Sequence, residues 1–398
     1  MRAGLAFALA LACVLTAAVP AGAAVPAGAA VEKGPKGQAF YSPPDPLPGK
    51  RHGDVVWARK LPAARGVAAA RRTRLVLYRS TTVDGDPAAV SGTVMIPRGD
   101  PPKKGWPVVS WAHGTTGVAD RCTPSKQPIL ADDYGRDYAG PLFRGYLRAG
   151  YAVAMTDYQG LGTPGIHPYL VGRAEARSVL DMARAARKLD DRIGRRVLIA
   201  GHSQGGHAAL WAASEAERWT PDLRILGTQP FAPIARVSAL LAARELLTDP
   251  GGLAPEAALF VRALHSTFGI EPADYITQAG LDLYPQTLER CIGELFAQDS
   301  FGGISVAEMS RDDADWQPVM DLTLAEVDQN DFELAPRLLI MHGTEDEVVP
   351  VALSDALVDE MREAGTKVTY RRVEGADHSG IVGEARKAAL ADARKRLR

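Results

Sequence analysis

Ser203 sits in the stretch Gly201-His202-Ser203-Gln204-Gly205, a G-x-S-x-G pattern. The run 197–200 before it is continuously apolar, and apolar residues at helical spacing follow over 207–219. A serine at a sharp strand-to-helix turn is held in strained backbone geometry, so the residues two positions either side must lack side chains that would collide with strand or helix. Such a turn presents the hydroxyl at the top of a sheet, and the helix that follows aims its first N–H groups and positive dipole end at charge forming there. The chemistry this pattern serves is nucleophilic attack on an acyl carbon.

A serine hydroxyl is a weak nucleophile until a base takes its proton, and the base in turn needs a carboxylate to orient it. In the strand-turn-helix context the chain order is Ser, acid, His. Four histidines follow the serine. His207 lies one helical turn beyond it, His265 falls in a helical insertion, and His342 ends a strand and is expected to pack beside the loop it opens. Only His378 follows a credible acid, in the glycine-flanked loop 374–380 after the last expected strand. The expected acid is Asp346, in the loop after the run 338–341; Glu345 and Glu347 flank it and are expected in solvent. Asp377 adjoins His378 and should point away, and His202 should face the sheet rather than the serine.

The tetrahedral oxyanion of acyl transfer needs hydrogen-bond donors. One is expected from the backbone N–H of Gln204, the residue after the nucleophile. The other is expected from Thr115 in His113-Gly114-Thr115-Thr116-Gly117, directly after the apolar run 108–112, with Gly114 permitting the tight turn.

The elements that must hold these residues follow an alternating pattern. Segments 73–80 and 90–97 flank a turn at 84–86 and read as an antiparallel hairpin. Apolar runs then occur at 108–112, 151–156, 197–200, 225–230, 338–341 and 368–373. Helical patterns at 142–149, 174–189, 207–219, 351–364 and 384–397 lie between or after most of them. Strands buried on both faces read as continuous apolar runs, and strand-helix alternation implies an α/β fold, a mostly parallel sheet with helices on both faces. One interval, 233–336, holds helical patterns (234–247, 255–268, 273–296) and no strand. It reads as a helical cap (234–335) between a first part of the core (31–233) and a second (336–398), at the edge of the sheet where ligands bind.

The 398 residues carry 46 Lys and Arg against 47 Asp and Glu, which leaves no electrostatic footprint for nucleic acid. Residues 1–30 open with Arg2, pass through an apolar run and end in alanine-rich segments that offer small-residue cleavage sites. They read as a secretory signal, too short to span a bilayer. Removal of that segment takes Cys13 and leaves Cys122 and Cys291 outside the cell, either bridged or as two unrelated buried thiols. Histidines and cysteines show no zinc-like spacing, so neither a metal nor a cofactor is expected.

The chain resembles the secretory lipase family of the α/β-hydrolase fold, related to yeast lipase A. The resemblance rests on Trp111-Ala112-His113-Gly114-Thr115-Thr116-Gly117, on Thr156-Asp157-Tyr158-Gln159-Gly160-Leu161-Gly162, on the serine turn, and on His342-Gly343-Thr344-Glu345-Asp346. It implies a Ser203-Asp346-His378 triad, a helical lid over the site, and a Cys122–Cys291 bridge bracing lid to core. It gives Asp157, Tyr158 and Gly160 a structural place beside the site. The expected function is extracellular hydrolysis of lipid-like carboxylic esters, with transient contact with lipid interfaces, no membrane insertion, and an undetermined oligomeric state. The alternatives are an acyltransferase that uses the same triad and a non-catalytic lipid-binding protein on the same fold.

Overall fold

Side-chain alternation in β6 (Ile193–His202) shows how the sheet is held. Val197 and Ile199 enter one apolar core with helices α2 (Gly172–Leu189) and α3 (Gln204–Trp219), while Leu198 and Ala200 enter the opposite core. All four are fully buried, so neither face can carry polar residues and the run reads as continuously apolar. The computed structural model describes residues 31–62, 65–127, 138–328 and 337–397 within one compact unit. The expected signal segment 1–30 lies outside the described residues.

Nine strands form one sheet in the order β1-β2-β3-β5-β4-β6-β7-β8-β9. β1 (Val55–Lys60), β2 (Arg72–Thr81) and β3 (Pro87–Ile96) pair antiparallel, and β3 is antiparallel to β5 (Ala152–Gln159). From β5 onward through β4 (Trp106–Ala112), β6, β7 (Arg224–Phe231), β8 (Leu338–Gly343) and β9 (Val368–Val373), every pair is parallel. The second core is completed by α1 (Gly140–Arg148) and by helices near the C-terminus. This is the α/β-hydrolase fold. β1 was absent from the expected strands; the C-terminal helix expected over 384–397 is present as Arg386–Arg396, preceded by a short helix at Gly380–Glu384 that was not expected.

Between β7 and β8 the described chain is helical: α4 (Val237–Ala242), α5 (Ala254–Phe268), α6 (Pro272–Tyr275), α7 (Gln278–Leu283), α8 (Ile292–Leu295), α9 (Val306–Met309) and α10 (Gln317–Leu322). The helix read over 273–296 is thus three short ones joined by a 3₁₀ turn at Tyr284–Leu288, because Pro285 and the tethered Cys291 interrupt it. The core of this insertion includes Val118, Tyr169, Leu170 and Val349 from loops at the carboxyl ends of the strands. The chain closes with α11 (Val351–Glu363), α12 (Gly380–Glu384) and α13 (Arg386–Arg396).

Candidate active site

Ser203 links β6 to α3 with φ 56° and ψ −119°, a region that costs a non-glycine residue on the order of 1–3 kcal/mol. The surroundings hold it there. Its N–H donates to Phe231 O at 2.9 Å, and its carbonyl accepts from His207 N at 3.1 Å and Ile234 N at 3.3 Å. A Cβ on Gly201 would lie 2.0 Å from Gly205 O, and one on Gly205 would lie 2.0 Å from Ala112 O. The glycines are therefore demanded by close backbone approach, as the pattern implies.

His378, after β9, donates from Nδ1–H to Asp346 Oδ2 at 2.7 Å. Asp346 Oδ2 also lies 3.1 Å from Nε2 of His342, and Oδ1 accepts from the N–H groups of Val348 (3.0 Å) and Val349 (2.8 Å). Burial raises the Asp346 pKa, but the hydrogen bonds from His342 and His378 outweigh it and hold the carboxyl well below the usual range. Glu345 and Glu347 are exposed, as is Asp377, whose carboxylate accepts from Gly380 N at 2.6 Å.

Two histidines do more than sequence suggests. His342 is fully buried, takes a hydrogen bond on Nδ1 from Ser354 of α11 at 2.7 Å, and shares its Nε2–H between Asp346 and Val349 O. It thereby helps fix Asp346, on the same oxygen that His378 bonds. The expectation for His202 is corrected: instead of facing the sheet it lines the same cleft as the serine. Its Nε2–H donates to His378 O at 2.7 Å and its ring centroid lies 4.7 Å from that of His378. Burial, then the neighbouring His378, lowers its pKa to about 3, so it braces the loop as a neutral ring.

A Cβ on Gly114 would lie 3.2 Å from His202 Nδ1 and 3.6 Å from Ser203 Cβ, so the turn after β4 runs against the serine turn. Thr115 follows, half-buried, its hydroxyl 2.9 Å from that of Tyr169. Tyr158 supports this turn by donating to His113 O at 2.9 Å. Asp157 beside it is buried on Ser91, Ser125 Oγ and Ser125 N, and its pKa is raised to about 6 by burial, against those hydrogen bonds. Both residues are structural supports, in keeping with the resemblance.

Beneath the turn lies a polar network that sequence reasoning missed. Gln204 Nε2 donates to Glu175 Oε1 at 2.6 Å and to His167 Nε2 at 2.8 Å. His207 bridges Glu175 (3.0 Å) to Val327 O (2.8 Å), the carboxyl end of the insertion. Glu175 is fully buried among Ala174, Ala176 and Val179 of α2. The available signal was an acid flanked by alanines in the first turn of an amphipathic helix.

Ser203, His378, His202, Gly114 and Thr115 line one cleft of about 250 Å³ between the sheet and the insertion. Cys122 and Cys291 are bridged across a sequence separation of 169, and Ile292 N donates to Thr116 O at 3.0 Å, so the insertion is tied to the segment that carries Thr115. Replacing both cysteines by serine is expected to cost about 3 kcal/mol in urea unfolding, mostly through a less restricted unfolded chain. Unchanged stability would contradict it.

A family model described as secretory lipase matches residues 140–398. A Mycobacterium tuberculosis protein named a probable inactive lipase is 29% identical over 324 residues, 77% of this chain and 69% of that one. The secreted triacylglycerol lipase LIP2 of Malassezia furfur is 24% identical over 368 residues, 86% of this chain and 75% of that one. The rice cell wall degrading esterase LipA of Xanthomonas oryzae shares the fold with a TM-score of 0.70 at 19% identity, covering 87% of this chain and 99% of that one.

Proposed function

This chain belongs to the secretory lipase family, and on that basis we propose that it is an exported serine hydrolase that cleaves carboxylic esters through an acyl-enzyme on Ser203. The observation that carries the reading is the bond from His378 to the buried Asp346, made on the same cleft as a serine held at positive φ. With Nδ1–H committed to Asp346, the other ring nitrogen of His378 is the basic one. It takes the Ser203 proton as Oγ attacks the acyl carbon, and returns it to the leaving alcohol as the tetrahedral intermediate collapses. Water then attacks the acyl-enzyme, giving its proton to His378, and the carboxylic acid leaves as Ser203 recovers its hydrogen. The backbone N–H groups of Gln204 and Thr115 receive the oxyanion in both steps. Residues 1–30 direct export, and no helix among the described residues is long and apolar enough to cross a membrane.

A second reading, a lipid-holding protein without turnover, is favoured by one observation: the relative matched over 77% of this chain is named a probable inactive lipase. A fluorophosphonate probe separates the two. The hydrolase reading expects covalent labelling of Ser203, read by peptide mass, together with turnover of p-nitrophenyl butyrate. An unlabelled serine and no turnover would leave the binding protein. Product analysis with excess alcohol acceptor distinguishes hydrolysis from acyl transfer.

A further inference from the structure

The catalytic cleft has a neighbour. A second cavity of about 90 Å³ lies inside the insertion, walled by apolar side chains of α4, α5, α9 and α10 such as Leu240, Phe260, Met309 and Val319. Three residues line both spaces: Ile234, Leu253 and Glu256. Glu256 is the polar one. It sits in the first turn of α5, where a carboxylate favours the helix dipole. That role alone does not require its Oε2 to be sealed from solvent without a hydrogen-bond partner among the described residues, which is where it lies.

The groups around it supply no counter-charge. Tyr169, from the segment before α2, faces it with a hydroxyl already engaged by Thr115. Arg244, across the inner cavity in the turn after α4, is taken by Glu245 at 2.8 Å and lies 4.7 Å over the Trp316 ring. His378, on the far wall of the cleft, is held by Asp346. Burial pushes the Glu256 carboxyl up to about 7, opposed only by a bond from its own backbone N–H.

We propose that Glu256 sets acyl-chain selectivity at the passage from the cleft to the inner cavity. The inference rests on the hydrolase reading above. A short acyl group can stop in the cleft before the wall that Glu256 shares with the inner cavity; a chain that continues into the inner cavity must lie against the carboxyl, in the place of any water that would solvate its charge. An ionised carboxylate resists that desolvation far more than a neutral acid. Long-chain esters are therefore accepted best when Glu256 is protonated, and short ones are indifferent to it.

The test compares kcat/KM for p-nitrophenyl palmitate and p-nitrophenyl butyrate from about pH 5.5 to about pH 8.5. In the wild type the palmitate-to-butyrate ratio should fall by about tenfold as pH rises through the interval. In Glu256→Gln the ratio should be flat with pH, and in Glu256→Leu it should exceed the wild-type ratio throughout. Circular dichroism and thermal unfolding of each variant report that it is folded. A wild-type ratio that does not change with pH, or the same profile in Glu256→Gln, overturns this proposal alone. A wild type that turns over neither ester overturns the hydrolase reading and this proposal with it.

Discussion

Replacing Ser203 by alanine is expected to lower kcat for p-nitrophenyl butyrate by about five to six orders of magnitude and to leave the fold in place. The first half of that expectation follows from chemistry: without Oγ no acyl-enzyme forms, and what survives is the modest help that oxyanion donors and substrate binding give to direct attack by water. The second half follows from the backbone. Alanine meets the same positive φ as serine, the hydrogen bonds that hold the turn are made by main-chain atoms, and the deleted oxygen borders a cleft rather than a packed core. Thermal unfolding of the variant should therefore stay within a few degrees of the wild type. A variant that retains more than about a hundredth of the activity places the nucleophile elsewhere.

Asp346→Asn is expected to reduce kcat by about 10⁴ with little change in KM. The carboxylate accepts from His378, His342, Val348 and Val349, all donors. An amide has one acceptor oxygen and turns two N–H groups toward that ring of donors. His378 is then free to place its proton on the nitrogen that should receive the one from Ser203. This substitution also destabilises. The Asp346 pKa is lower folded than unfolded, so its contribution is present above the unfolded value of about 4 and is lost as pH falls toward the folded one. The stability gap between wild type and variant, measured by urea unfolding, should be widest near neutrality and narrow in acid. A gap that widens on acidification contradicts the assignment.

The parts of this architecture that sequence makes legible are those where local and global demands coincide. The parallel strands are buried on both faces, so their apolar runs cannot be disguised, and the glycines about Ser203 are required by contacts as short as 2.0 Å. β1 escaped notice although 55–58 is an apolar run, because this edge strand of six residues ends in half-exposed Arg59 and exposed Lys60 and lies outside the strand-helix alternation. The long helix read over 273–296 failed because its register is set by tertiary ties, the bridge at Cys291 above all, and not by its own periodicity. Directions of polar side chains were the least legible. Strand alternation puts His342 on the face with Leu338 and Ile340, toward Ser354, and so toward the acid it steadies. His202, at the last position of β6, answers to the His378 carbonyl, a partner 176 residues away.

The bridge between Cys122 and Cys291 also limits how the molecule can admit a bulky guest. Its two ends lie on the segment leading from Thr115 and at the start of α8, so that corner of the roof is moored to the floor. Any widening of the entrance has to pivot about this anchor, with the greatest travel at the margin farthest from it.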